Sequence, residues 1–263
     1  MKPLLIVVTP WLVFIGAHLG MSSSRLREKI TARYGRFAFT LIYLFVTILT
    51  LGTVIFALAF FGHEGPAGFQ VSDQTWLTVL RAVSVFGAFL LVAGLISYPT
   101  SAIAILAQRM KNPDLKTALP KPTGIARITR HPFFVGLAFV STSHVFLAST
   151  LAIAVSFACL AFLSLVGIYL QDKKLQKRWA ATYEVFIERS SVLPFQRLAE
   201  QDSRLTARDI PMLLIALLVA SFLFGALHDI WTVGNGATFL GFILVYGTIG
   251  VVTGILKSAA KNR

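Results

Sequence analysis

Long apolar runs alternate along this chain with short basic loops, and the length of the runs decides what they are. Seven stretches, at roughly 3–20, 37–61, 76–97, 133–149, 151–170, 211–228 and 236–256, are nearly free of charge. About 20 residues at 1.5 Å per residue cross the hydrocarbon core of a bilayer, and each run is near that length. The fourth and fifth come from one uninterrupted run, 133–170, whose 38 residues are too many for one crossing and suit two joined by a tight hairpin at Ser149-Thr150. The expected class is therefore all-α: a polytopic membrane helical bundle of about seven transmembrane helices.

Composition makes the alternative of a soluble domain untenable. Of 263 residues, 56% are hydrophobic and 13% charged, and the mean hydropathy is +0.75. One soluble core cannot hide that much apolar surface. A net charge of +13 raises nucleic acid as a partner, but no clustered basic face with motif support accompanies it, so the expected partner is the lipid bilayer. All but Lys2 and Arg81 of the 24 lysines and arginines fall in 21–36, 109–130, 171–209 and the tail from 257. The connections 63–75 and 229–235 carry Glu64, Asp73 and Asp229 and no basic residue. Short basic loops stay on the cytoplasmic side, so the alternation predicts an odd number of crossings, N-terminus out and C-terminus in.

The first apolar segment follows Lys2 like a secretory signal, but Ser22-Ser23-Ser24-Arg25 resembles a helix exit more than a cleavage site, and a mature helix is expected. The lone Cys159 excludes an internal disulfide and is expected to be an inert thiol. The polar stretch 196–209 suggests a boundary between a membrane domain, 1–195, and an addition, 196–263, made of a polar linker and two helices. In the latter Gly234, Gly236, Gly241, Gly247, Gly250 and Gly254 permit close helix packing. There is no internal repeat.

Ionisable groups in or beside a membrane bundle are where chemistry is sought. His18, His131, His144, Asp172 and His228 qualify. His228 beside Asp229 reads most simply as an interfacial residue, and His63 beside Glu64 as a solvated loop residue. Arg130 and His131 precede Pro132, a residue suited to the first turn of a helix, whose amino end offers donors and positive potential to an anion or carboxylate. The plain alternative is that the trio only caps the helix at the headgroups. His144 lies 13 residues further, about 20 Å along a continuous helix, where a neutral imidazole needs a hydrogen bond, with Ser141 and Ser143 nearby, or a metal. His18 is embedded in the first helix. Two such histidines on different helices are what bis-imidazole haem ligation requires, although packing alone also produces them.

The segments Ile125-Ala126-Arg127-Ile128-Thr129-Arg130-His131-Pro132-Phe133-Phe134-Val135-Gly136, Ser143-His144, Asp172-Lys173-Lys174 and Ser190-Ser191-Val192-Leu193-Pro194-Phe195 resemble the NnrU family of bacterial membrane proteins. Gly16-Ala17-His18, Arg25, Arg33-Tyr34-Gly35, a helix from Phe37 and Pro99-Thr100-Ser101 fit the same pattern. The resemblance runs in order over about 1–195 and leaves out the last two helices. It implies a multi-pass protein of the bacterial inner (plasma) membrane, linked by the family's name to denitrification and nitric oxide metabolism. The family includes the plant zeta-carotene isomerase, a haem b protein. By that resemblance His18 and His144 fall on the haem ligand positions, with Arg130 and His131 as cofactor-binding residues placed to hold propionates, and isomerase-like redox chemistry is implied. Where that enzyme carries a cysteine three residues before its second ligand this chain has Ser141, so a thiolate ligand switch is not available.

A second resemblance competes for the same residues. Arg-His-Pro followed by two aromatics, one residue and Gly is similar to the motif of isoprenylcysteine and phospholipid methyltransferases, which bind S-adenosylmethionine. Asp172, Trp179, Tyr183 and Glu184 would complete such a site, and 178–186 reads as an amphipathic interfacial helix that would cover it. A non-enzymatic membrane assembly factor is the third reading. The sequence leaves open whether the chain is an enzyme, its oligomeric state and its substrate, for which a small hydrophobic molecule is the class admitted.

Overall fold

The structure, a computed structural model, describes residues 2–97, 122, 124–197, 207, 210–211 and 213–220. Six α-helices account for most of them: α1 Lys2–Ser22, α2 Ser24–Phe61, α3 Gln74–Ser97, α4 Pro132–Leu147, α5 Leu151–Trp179 and α6 Ala181–Glu188. A 3₁₀ turn, Gly124–Arg127, leads into α4, and residues 213–220 are helical. Among the described residues four helices are long and apolar enough to cross a membrane: Lys2–Ser22, Arg25–Phe61, Gln74–Leu95 and Leu151–Lys177, with Pro132–Leu147 a shorter apolar helix. This is a helical membrane protein. The sixth expected span is described only at 213–220; the seventh, His228, Pro99-Thr100-Ser101, the glycines from 234 and the basic loop at 109–121 lie outside the described residues.

The chain divides into two compact units, which among the described residues hold 2–70 with 145–159, and 71–144 with 160–220. In the first, Val7, Trp11 and Phe14 of α1 are buried, and the indole N–H of Trp11 donates to Ser156 Oγ at 2.8 Å. The hairpin expected at Ser149-Thr150 is there, because Thr150 supplies what a helix start lacks. Its hydroxyl lies 3.3 Å from the Ile153 amide and donates to Gly62 O at 2.5 Å, while Leu151 N–H donates to Pro66 O at 2.9 Å.

Two helices run past the apolar segments that announced them. α2 begins at Ser24 instead of Phe37, with a break at Gly35, where φ is 81° and ψ 166°. α5 continues from the apolar run through Gln171, Lys173, Lys174, Gln176 and Lys177 to Trp179, because long straight side chains are good helix formers and hydropathy registers only the lipid-facing part.

In the second unit Asp73 caps α3, accepting the Trp76 amide at 3.0 Å. α3 and α4 cross backbone to backbone. A Cβ at Gly87 would stand 2.8 Å from Gly136 O, and one at Gly94 would stand 2.5 Å from Phe133 N. Around this crossing Leu90, Ala93, Ile125, Ile128, Val135 and Ile168 form a buried apolar core.

Candidate functional site

α4 begins at Pro132, the position its fixed φ and missing N–H favour, so the preceding loop delivers Arg130 and His131 to the helix amino end. The loop is fixed by pairing with the segment after α6. Arg130 N–H donates to Ser191 O at 2.7 Å, Thr129 Oγ1 to Val192 O at 2.7 Å, and Phe195 N–H to Ile128 O at 2.9 Å. These bonds account for the Ser190 to Phe195 motif, whose backbone is the partner strand of the Arg130 loop without being regular sheet.

Asp172, on the polar extension of α5, receives three side chains. Arg130 Nη2 donates to Oδ2 at 2.8 Å with Nε 3.3 Å from both oxygens, His131 Nε2 lies 2.5 Å from Oδ1, and the Tyr183 hydroxyl donates to the same Oδ1 at 2.5 Å. His131 is 1% and Tyr183 0% exposed, whereas the Asp172 side chain keeps 22% and Arg130 15%, so the carboxylate is the part of the cluster nearest solvent. Donors that converge on a carboxylate hold it as an acceptor, and its oxygen holds His131 with a proton on Nε2. Tyr183 reaches it because the chain turns at Ala180, in a positive-φ conformation with φ of 41°, so that α6 folds back and stacks Tyr183 on Phe186 at 5.8 Å. The amphipathic helix expected over 178–186 is divided at Ala180, with Arg178 and Trp179 closing α5 and α6 starting at Ala181; Tyr183 and Phe186 are buried, Trp179 packs against them, and Glu184 is exposed. Glu184 is thereby outside the cluster.

His18 and His144 have polar partners of their own. His18 belongs to the first unit, 5.3 Å from Phe14 ring to ring, with the Tyr43 hydroxyl 3.2 Å from Nδ1 and 3.3 Å from Nε2. His144 belongs to the second, and its Nδ1 donates to Val140 O at 2.8 Å. The serines expected beside it do something else. Ser143 bonds Phe139 O at 2.8 Å, and the Ser141 hydroxyl is buried with no hydrogen-bond partner among the described residues. His63 is an exposed loop residue, as expected.

Tyr43, beside His18, is not marked in the sequence, and Thr129, Ser191 and Val192, beside Arg130, stand there only as members of the motif segments. Tyr43 carried no signal, since one tyrosine in an apolar run reads as lipid contact. No three or more His, Cys, Asp or Glu side chains are grouped to hold a metal ion among the described residues.

Apolar helices of membrane-crossing length and a cluster at one helix amino end, with a buried imidazole and phenol and a part-buried guanidinium and carboxylate, define a polytopic helical membrane protein with a charged centre. The chain belongs to the NnrU family, whose model (NnrU protein) matches residues 6–235. That match extends beyond residue 195 and takes in the sixth apolar segment. Among curated relatives it is 26% identical over 195 residues to 15-cis-zeta-carotene isomerase, chloroplastic, of Zea mays, covering 74% of this chain and 50% of the relative. To the enzyme of the same name from Arabidopsis thaliana it is 28% identical over 196 residues, covering 72% and 49%. The chain thus spans about half the length of these relatives. No solved structure matches it.

Proposed function

We propose that this chain is a membrane-embedded isomerase-like enzyme acting on a small hydrophobic substrate, a polyene in its simplest form, with the Arg130, His131, Asp172 and Tyr183 cluster as its polar centre. The observation that carries the reading is the convergence of three donors on Asp172 inside an otherwise apolar bundle. Such an arrangement keeps charges paired near hydrocarbon and holds a proton at His131 Nε2, while the relatives' name supplies the substrate class. The finer topology belongs to the same proposal: seven crossings of the bacterial inner membrane, N-terminus out and C-terminus in, supported by the loop distribution of Lys and Arg.

Haem b is the proposed cofactor, and His18 and His144 are the residues that would each offer it an imidazole nitrogen. The chemistry of each imidazole by itself suits that role. The Nδ1–H of His144 is spent on Val140 O, which leaves Nε2 as the lone-pair nitrogen, the second-shell arrangement common to ligating histidines. His18 lies in aromatic surroundings with Tyr43 as its polar neighbour. A haem would supply a redox-tunable Lewis-acidic iron. Arg130 and His131, proposed as propionate partners, already serve Asp172, and this favours a role for them in orienting the carboxylate.

The test is conversion of 15-cis-zeta-carotene by the chain reconstituted in liposomes, with isomers separated chromatographically. The expected result is a change of isomer ratio that Asp172→Asn lowers by about 100-fold, as befits an interaction network acting as a unit. An unchanged isomer ratio with haem-loaded wild type sinks the isomerase reading.

The same convergence favours a second reading, a S-adenosylmethionine-dependent methyltransferase, since Arg130, His131, Asp172 and Tyr183 are the residues it needs. Saturable binding of S-adenosylmethionine, lost in His131→Ala and kept in His18→Ala, would select it.

A further inference from the structure

The first eleven residues of α2, 24–34, are a helix of their own. A straight helix of the full 38 residues would be about 57 Å long, nearly twice the roughly 30 Å hydrocarbon core. Gly35 divides it. Its φ of 81° and ψ of 166° are open only to glycine at little cost, and a Cβ there would meet nothing within 4 Å, so conformation and not space selects the residue. What remains after the break, 36–61, is about 39 Å long and sufficient to cross with tilt.

The segment before the break is held at a membrane surface from both sides. α1 ends at Ser22, only one residue before α2 starts, and that turn is closed by Ser23, whose amide and hydroxyl both donate to Gly20 O, at 3.2 and 2.7 Å. About 16 Å of helix therefore lies between two membrane-crossing helices.

Its surface chemistry is one-sided. Arg25, Arg27, Lys29, Arg33 and, just past the break, Arg36 are exposed, against the single acid Glu28. Tyr34 and Phe37, beside these cations in the chain, are 58% and 50% exposed. The guanidinium of Arg27 lies 5.5 Å from the Phe39 ring centroid and that of Arg33 lies 5.3 Å from Tyr34, so aromatic faces steer the cations. Aromatic side chains between hydrocarbon and a row of cations are the composition of an interfacial anchor.

We infer that residues 24–36 form a binding surface for anionic phospholipid headgroups of the bilayer that α1 and α2 cross. Several phosphates can be contacted at once, because five exposed cations stand within twelve residues and each arginine can bind phosphate oxygens in pairs. The inference depends on membrane insertion and is independent of the isomerase and haem proposals.

The test uses the full chain, purified in detergent, exposed to equal amounts of phosphatidylglycerol and phosphatidylcholine, repurified, and its bound lipid measured by mass spectrometry. Wild type is expected to retain phosphatidylglycerol over phosphatidylcholine by roughly tenfold, falling towards parity in 0.5 M salt and in the Arg25→Gln, Arg27→Gln, Lys29→Gln, Arg33→Gln variant. Enrichment that survives all four substitutions overturns the proposal. A second measurement needs no variant: amide hydrogen exchange over 24–34 in nanodiscs is expected to be several-fold slower with phosphatidylglycerol than with phosphatidylcholine alone. Equal exchange in the two overturns it, as does equal slowing by soluble glycerol phosphate or displacement of lipid by RNA.

Discussion

The Tyr183 hydroxyl donates to Oδ1 of Asp172, eleven residues earlier, and that oxygen also accepts His131 Nε2. Two short polar contacts on one oxygen make Asp172 the hub, so removing its charge costs more than removing either donor. Asp172→Asn is expected to destabilise the protein by about 2–3 kcal/mol, somewhat below the range for fully buried pairs because the carboxylate is partly exposed. Tyr183→Phe should cost about 1.5 kcal/mol. Unfolding in graded sodium dodecyl sulfate after detergent purification measures both, and a larger loss for Tyr183→Phe than for Asp172→Asn would contradict the hub.

The α3 and α4 crossing makes an ordered set of glycine predictions. A Cβ at Gly136 would run into Gly87 O and stand 2.5 Å from Leu91 N, backbone atoms that cannot swing aside. Gly136→Ala is expected to lose about 1–3 kcal/mol by overpacking. Gly52→Ala, in a helix with nothing within 4 Å, is the control and should gain up to about 1 kcal/mol. Equal effects of the two substitutions in the same unfolding assay would mean that the helices do not approach so closely.

Ser84 and Ser141 are buried hydroxyls without a hydrogen-bond partner among the described residues, in contrast with Ser143, Ser156 and Ser164, which bond the carbonyl four residues back. An unpaired buried hydroxyl costs about 1–3 kcal/mol, so Ser84→Ala and Ser141→Ala are expected to be neutral or stabilising. Thermal unfolding in detergent reads the sign; marked destabilisation would show that each hydroxyl has a partner.

Much of this was legible in the sequence, for reasons that differ by residue. The helix start at Pro132 and the break at Ser149-Thr150 follow from local chemistry, a fixed φ and a side-chain cap. The first, second, third and fifth apolar runs coincide with helices of membrane-crossing length among the described residues, because lipid selects composition directly. Where polar residues extend a helix, as beyond Leu170, hydropathy is silent and the end was placed short. The meeting of Asp172 with Tyr183 turns on Ala180, a positive-φ alanine where nothing in the sequence marks a turn. The partnership of Tyr43 with His18 spans 25 residues and two helices, and no spacing rule reaches that far.

That conformation is itself testable. At φ of 41° and ψ of −123° Ala180 carries strain that glycine would not, so Ala180→Gly is expected to stabilise by about 1 kcal/mol while the Tyr183 contact is retained. Loss of stability in the unfolding assay would mean that the turn is made elsewhere.

The most direct measurement is the absorption spectrum of the purified protein, oxidised and dithionite-reduced, recorded for wild type, His144→Ala and Asp172→Asn beside the isomer assay. The account predicts a Soret band in wild type, its loss or shift in His144→Ala, and in Asp172→Asn a retained band with activity abolished, which separates the proposed iron ligand from the charged centre. A colourless wild type after expression with ample haem, or a Soret band indifferent to His144, would contradict it.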